Sequence, residues 1–501
     1  MAEVECNPPR IACHRITSLI NFNKLEPTLT THKNILAATK SDLKSPMKLY
    51  FEAEKFLNGG ERGLKTRIFN AKLSNSPKHI YALVISALKY KEYIHHIIKK
   101  ARLKEAPELK KLKVSESLLS LLVYDFLFSA KGRIQLGKHP VKDAFLANKT
   151  RMHAELIKLK LKHKVKSIAD LPLKSGLDDD ETPVRWIRIN TIKISAEAFF
   201  KKHKFFAELK PVESFSEITE PGLIYKDSFI QNLFGIHPRE KLTNTSAYIN
   251  GEVIIQDRAS CFPGQILFDD PQDVHSQVID ATAAPGNKTT HAASFVAREE
   301  DGVVYAFERD DKRVKVLKMM CEKATGKLKK NLIHPTHADF TTISPADFPQ
   351  ITGLIVDPSC SGSGIFGRAI EDAGQEQAKE EIDTERLNKL AGFQFKIVKH
   401  ALSFPKARKV VYLTCSIHPH ENERVVVDLL RDTDIQQQGW LLAPREHVIL
   451  LWPRRGWKEE FTSVCGDDES KCEELAGGCV RSVPKEDGGI GFFAACFVRD
   501  L

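Results

Sequence analysis

Several familiar signals are missing from this 501-residue chain. No apolar run approaches the roughly 20 residues that span a bilayer, so no membrane helix is expected. The N-terminal residues lack a secretory pattern, and Glu3 and Glu5 speak against a transit peptide, which is poor in acids. Ten cysteines occur without the regular spacing of a disulfide framework, which points to a reducing compartment. Cys465, Cys472 and Cys479 stand seven apart in an acidic, Gly-containing stretch; that is not a zinc-ligand spacing, and no metal is expected. There is no internal repeat and no long low-complexity segment, which excludes solenoids and linker-dominated chains.

What is present is length for two or three domains and an uneven charge. Residues 1–175 hold 34 basic and 15 acidic side chains, a net of +19, whereas the remainder holds 41 and 50, a net of −9. The overall +10 is thus a property of the first third. Such a segment favours a polyanion through counterion release, although a well-solvated helical surface has the same composition.

Residues 1–45 show no sustained periodicity and read as a poorly ordered tail. From Lys48 to about 175 the pattern is helical, with Ile80, Leu83, Val84 and Ala87, and later Leu118, Leu119, Leu122, Val123 and Phe126, at three- and four-residue spacing. The Lys-alternating segment Ile157 to Lys166 fits either a strand or a helix end. An acidic turn from Gly176 to Pro183 marks a boundary. Residues 184–250 read as a small mixed α/β unit opened by a strand from Val184 to Thr191, with Arg185 and Arg188 as candidate phosphate contacts. From Gly251 to 501, strands at 277–281, 303–308, 331–335, 353–357, 409–414 and 491–498 alternate with helices at 289–299, 311–324, 385–403 and 420–431. That alternation predicts an α/β, Rossmann-like doubly wound sheet, mainly parallel, its last strand an inserted edge or antiparallel one.

The first of these strands runs into Thr282, Ala283, Ala284, Pro285, Gly286, Asn287 and Lys288 before a helix begins. Small residues there let a ligand approach the backbone, and the helix N-terminus favours negative charge. Three readings compete for this loop. A plain strand-to-helix connection is one. A phosphate-cradling loop is another, weakened because the leading Gly is missing and Asn287 separates Gly286 from Lys288. The third is S-adenosylmethionine, its carboxylate held by Lys288 and the loop amides.

Further residues fall at successive strand ends, where open α/β sheets bind ligands. Glu308 suits the two hydroxyls of a ribose. Asp339 faces the adenine side of the same pocket. The fourth strand is followed by the run Asp357 to Gly364, containing Cys360, and the fifth by Thr414, Cys415 and Ser416. Singly, an acid at a strand end is commonly a helix cap and a Cys a buried small hydrophobe. Two cysteines at adjacent strand ends suggest covalent chemistry on a base. A thiolate adding to carbon 6 of cytosine makes carbon 5 nucleophilic, and an acid at ring nitrogen N3, here Asp357 if burial raises its pKa, eases that addition.

Together, the runs Asp280 to Thr289, Asp357 to Gly362 and Thr414 to Ser416 resemble the Sun-domain (RsmB/NOP) family of RNA cytosine-C5 methyltransferases over about residues 46–501. The resemblance implies a Rossmann-like SAM-dependent methyltransferase sheet following a basic all-α N-terminal domain. It makes Cys415 the nucleophile and Cys360 the residue that assists product release. It places residues 282–288, Glu308, Arg313, Asp339 and Asp357 around the cofactor S-adenosyl-L-methionine. The Asp-Pro-Ser-Cys-Ser-Gly-Ser-Gly variant and the Lys-rich stretch Gln135 to Lys166 resemble the branch that methylates large-subunit rRNA. That branch implies pre-ribosomal particles as partners and a nucleolar, nuclear location. Departures are Thr282 in place of a frequent Cys, and Ile417-His418-Pro419-His420 after the nucleophile. Loop histidines of that kind read as solvated. Cys465 to Gly489 reads as a surface insertion. Two rivals are an rRNA-binding assembly factor without activity, against which both cysteines argue, and a DNA cytosine methyltransferase, which would not carry the Thr-Cys-Ser partner.

Overall fold

The computed structural model describes residues 47–500 apart from 59–63, 130, 136, 169, 174–181, 271–272, 327–330 and 366–378. The tail expected at 1–45 and most of the acidic boundary turn lie outside the described residues. The N-terminal region is all helix, and residues from Met47 to Leu171 close an apolar core of their own. Ile80, Leu83, Val84 and Ala87 are buried on the helix Pro77–Lys89 as their spacing predicts. The ambiguous Lys-alternating segment begins inside the helix Lys149–Lys162, so its first half is a helix end and not a strand. No helix among the described residues is long and apolar enough to cross a membrane.

A five-stranded sheet comes next, built from β1 (Arg185–Ile189), β2 (Lys210–Val212), β3 (Leu223–Lys226), β4 (Leu233–Ile236) and β5 (Val253–Ile255), in the order β2-β3-β4-β1-β5. Its fifth strand lies just past residue 250. Arg188 corrects an expectation: its guanidinium is buried and donates to Gln256 Oε1 at 2.8 Å and Thr290 Oγ1 at 3.1 Å, so it is no phosphate contact. Arg258 ties the small sheet to the C-terminal part of the chain. This buried cation pairs with Asp227 at 2.6 Å and lies about 5 Å from the rings of Trp186, Phe229 and Trp452.

The large sheet contains β6 (Gln277–Asp280), β7 (Val303–Glu308), β8 (Ile333–His337), β9 (Gly353–Val356), β10 (Lys409–Thr414), β11 (Leu441–Leu442), β12 (Cys479–Ser482) and β13 (Phe492–Val498). The order is β11-β13-β10-β9-β6-β7-β8, with β12 also on β13. Strands β6 to β10 are parallel to one another, as alternation with helices predicts. The chain leaves β6 toward β7 and β8 and returns as β9 on the other side of β6, which opens a crevice at the carboxyl ends of β6 and β9.

Two expectations are refined at the far end. β13 is antiparallel, but it is no edge: it fills the place between β10 on one side and β11 and β12 on the other. The stretch from Cys465 to Gly489 is not a surface insertion. Every residue of β12 is buried, and Arg481 forms a two-point ion pair with buried Glu423 at 2.5 and 2.7 Å. Gly488 then accepts a hydrogen bond from Trp186 Nε1, joining this stretch to the small sheet.

Candidate active site

The strand-to-helix loop is held by its first acid. Asp280 ends β6 fully buried, and its carboxylate accepts from Thr289 Oγ1 at 2.6 Å and from Thr282 N at 3.3 Å. Burial pushes its pKa up to about 6 in spite of those two bonds. Gly286 turns the chain into the helix Asn287–Val296 with φ at 113°. A Cβ there would press on Leu317 and Met320 at 3.2 Å as well as strain the backbone. Ala283 and Ala284 are buried and Pro285 is exposed, while Asn287 Nδ2 contacts Ile255 O at 3.5 Å. Lys288 reaches back across the crevice to Asp357 Oδ2 at 2.7 Å and Ser260 Oγ at 3.1 Å. Burial lowers the affinity of Lys288 for its proton, but Asp357, Cys415 and Asp280 more than reverse this, and its pKa is raised.

A cavity of about 310 Å³ opens at the carboxyl ends of these strands. Of the residues expected in the site, Thr282, Glu308, Arg313, Asp339, Asp357, Cys360 and Cys415 form its wall. From the loop 282–288 only Thr282 does so, and its Oγ1 accepts a hydrogen bond from Asp357 N at 2.9 Å. Glu308 is buried, and its carboxylate accepts from Asp310 N at 2.9 Å and stands 3.3 Å from Arg313. Arg313 also donates to Ala284 O at 2.5 Å, pinning the loop. Asp339 accepts from Thr341 N and Oγ1, and these bonds hold its pKa below the usual range.

Cys360 and Cys415 meet at one corner of this cavity, Sγ to Sγ 3.0 Å apart and both free of disulfides. The hydrogen bond to Cys415 and burial together push the Cys360 thiol well up. The two loops are locked to each other through backbone. Gly364 N donates to Cys415 O at 3.0 Å, and Gly491 N donates to Gly364 O at 2.8 Å. A Cβ on Gly364 would lie 2.2 Å from Gly491 O, so only glycine allows this approach.

This geometry can be set beside known proteins. Residues 266–498 match the model of 16S rRNA methyltransferase RsmB/F, and residues 78–171 match the N-terminal domain of NOL1/NOP2/Sun domain family member 5. The chain is 39% identical over 434 residues to 25S rRNA (cytosine-C(5))-methyltransferase rcm1 of Schizosaccharomyces pombe, covering 86% of each. It is 31% identical to the 28S rRNA (cytosine-C(5))-methyltransferase of Mus musculus, covering 90% of this chain and 91% of that one. The chain belongs to the RsmB/F Sun-domain family of RNA cytosine-C5 methyltransferases. The solved structure of PH0851 shares the fold, with a TM-score of 0.55 at 19% identity over 91% of this chain and 99% of that one.

Enzymes of this family are S-adenosyl-L-methionine-dependent, and the cavity suits that donor. Glu308 presents a carboxylate for hydroxyls, and Phe307 and Phe340 give apolar wall beside Asp339. Its volume is at the small end of ligand pockets. Several wall or support residues escape sequence reasoning. Arg309 and Phe393 line the cavity, with the guanidinium 5.6 Å from the ring. Glu421 lies beneath the thiols, fully buried, accepting from Ser361 N at 2.8 Å and Gln394 Nε2 at 3.1 Å. Arg309 adjoins Glu308 in sequence, which is a local signal; Glu421 and Gln394 meet the site only through tertiary packing.

Proposed function

We propose that the chain forms 5-methylcytosine in large-subunit rRNA through a covalent adduct between Cys415 and carbon 6 of the target base. The contact of Cys415 with Cys360 at 3.0 Å on the wall of the donor-sized cavity is the observation that carries this reading. When bound, S-adenosyl-L-methionine supplies the electrophilic methyl group; Glu308 would hold its ribose, and Asp339 would border its adenine. The chain's own residues do the rest. Cys415 as thiolate adds to carbon 6, and Asp357, once it has taken up a proton, donates to N3, so the electron pair collects at carbon 5. Lys288 backs Asp357 and feels the charge on Cys415. After carbon 5 has gained its methyl group, its proton passes to water, the electron pair of that bond restores the ring double bond, and the carbon–sulfur bond breaks. Cys360, whose thiol is pushed well up, donates to the departing Cys415 sulfur.

The target cytosine has to leave any stack to reach the two thiols, so single-stranded or opened RNA is the substrate form. Large-subunit rRNA is favoured by the names of the fission yeast and mouse relatives, and with it pre-ribosomal particles and a nucleolar location. The test is the variant Cys360→Ala incubated with S-adenosyl-L-methionine and RNA. A denaturant-resistant protein–RNA band is expected, and it should vanish when Cys415→Ser is added. Near-normal turnover without a band would reduce Cys360 to a packing residue. A band that persists in the double variant would give the attack to another nucleophile.

A further inference from the structure

The helical N-terminal region carries a second cavity, of about 570 Å³, walled by Phe126, Lys131, Arg133, Ile134, Lys142 and Leu146 among others. Lys131 and Arg133 are exposed and have no ion-pair partner among the described residues. Among the described residues, no acidic side chain lines this cavity. The floor is aromatic and apolar. Phe126 is half-buried, with its ring fixed by edge contacts to Phe145 at 5.9 Å and His153 at 5.1 Å.

The rim is built rather than loose. Residues Tyr124–Phe128 form a turn of π-helix, which Ser129 N closes by donating to Tyr124 O at 3.0 Å. Such turns insert one residue and re-aim side chains. Gly132 continues the chain with φ at 55°. The far side is anchored from below. Buried Asp125 accepts from the Tyr50 hydroxyl and from Gln135 N at 3.2 Å, and Gln135 N also meets Tyr50 Oη at 3.0 Å. Burial, followed by the Asp125 contact, raises the Tyr50 pKa, so the hydroxyl stays a donor. The chain bearing Lys131 and Arg133 is therefore clamped at Gln135, and its two cations line the same cavity as the Phe126 ring.

We propose that this cavity is a second RNA subsite, which takes one unpaired nucleotide: the base against Phe126 and the flanking phosphates on Lys131 and Arg133. Aromatic floors hold unstacked bases without sequence preference, and paired cations track the backbone. The proposal rests on RNA being the substrate, but it concerns binding and needs no methyl transfer. It gives the basic first third a defined contact in place of a diffuse field.

The test is a salt titration of the full chain with a single-stranded RNA oligonucleotide, read by fluorescence anisotropy, alongside a duplex of the same sequence. Two variants are compared with the parent. The double variant Lys131→Ala with Arg133→Ala should weaken single-strand binding and shrink the salt slope by about 1.4, as loss of two phosphate contacts requires. Phe126→Leu should weaken it roughly five- to 150-fold with the slope unchanged. Its unfolding midpoint reports whether the fold survives. Zero-length ultraviolet cross-linking should place RNA on the peptide containing Phe126, with Cys415→Ser protein cross-linking equally well. Unchanged affinity and slope in the double variant would overturn the subsite. Equal losses on single strand and duplex would leave a basic patch without a base pocket and also overturn it. Loss of turnover in Cys415→Ser with this binding intact would separate failure of the subsite from failure of the catalytic reading.

Discussion

At the scale of single residues, the proposed mechanism gives the attack to Cys415 and the release to Cys360. Burial and the contact with Cys415 push the Cys360 thiol up, and the charge of Cys415 is among the causes that raise Lys288. Cys415→Ser should therefore abolish turnover and leave donor affinity nearly unchanged, since an alkoxide is far harder to form near neutrality than a thiolate. Single-turnover rates near those of the parent would contradict the assignment. Asp280 gives a different signal. Its ordinary value of 3.8 is raised to about 6 by burial, so the folded state holds the proton more tightly than the unfolded state. Stability from this group is greatest below about pH 4 and is lost as pH rises through 6. Relative to Asp280→Asn, the parent should lose up to roughly 3 kcal/mol between those limits, at about 1.36 kcal/mol for each pH unit between them. Urea midpoints of both proteins at pH 4 and pH 7.5 measure it; a difference independent of pH would contradict it.

At the scale of elements, the strands were legible and their company was not. The periodic runs at 303–308 and 409–414 coincide with β7 and β10, because each is an apolar stretch bounded by turns. The carboxyl ends of β6 to β10, which place the acids and thiols, follow from that alone. The stretch Cys465 to Gly489 misled because glycines and acids dilute its pattern, and β12 declares itself only beside β13. Arg188 misled because an arginine on a strand usually points to solvent; this one is buried and donates to Gln256 and Thr290, which come from later elements. The correction at β12 has a measurable consequence. Arg481→Ala leaves the fully buried Glu423 carboxylate without its cation, which costs about 3–5 kcal/mol. A substitution in a true surface insertion would stay within about 0.5 kcal/mol. Equilibrium unfolding in urea distinguishes the two.

At the scale of the whole molecule, charge and chemistry occupy different regions. The first 175 residues carry +19 and their own core, and the remainder carries −9 with both thiols. Removing residues 1–175 should leave a folded catalytic sheet that binds RNA more weakly and with a flatter dependence on salt. An unchanged salt slope would show that the catalytic sheet holds RNA unaided.

The placement of β13 also bears on how the molecule is assembled. β10, which carries Cys415 just beyond its end, borders β13 along six residue pairs, yet β13 comes nearly 80 positions later in the chain. Until residues 492–498 arrive, β10 presents an open edge of apolar strand, the kind that recruits other chains. A nascent or truncated chain ending before Phe492 would thus hold every acid and thiol of the site and still be aggregation-prone. The order of synthesis leaves the strand that ends at Cys415 waiting for one of the last pieces of its sheet, and chaperone dependence should peak in that interval.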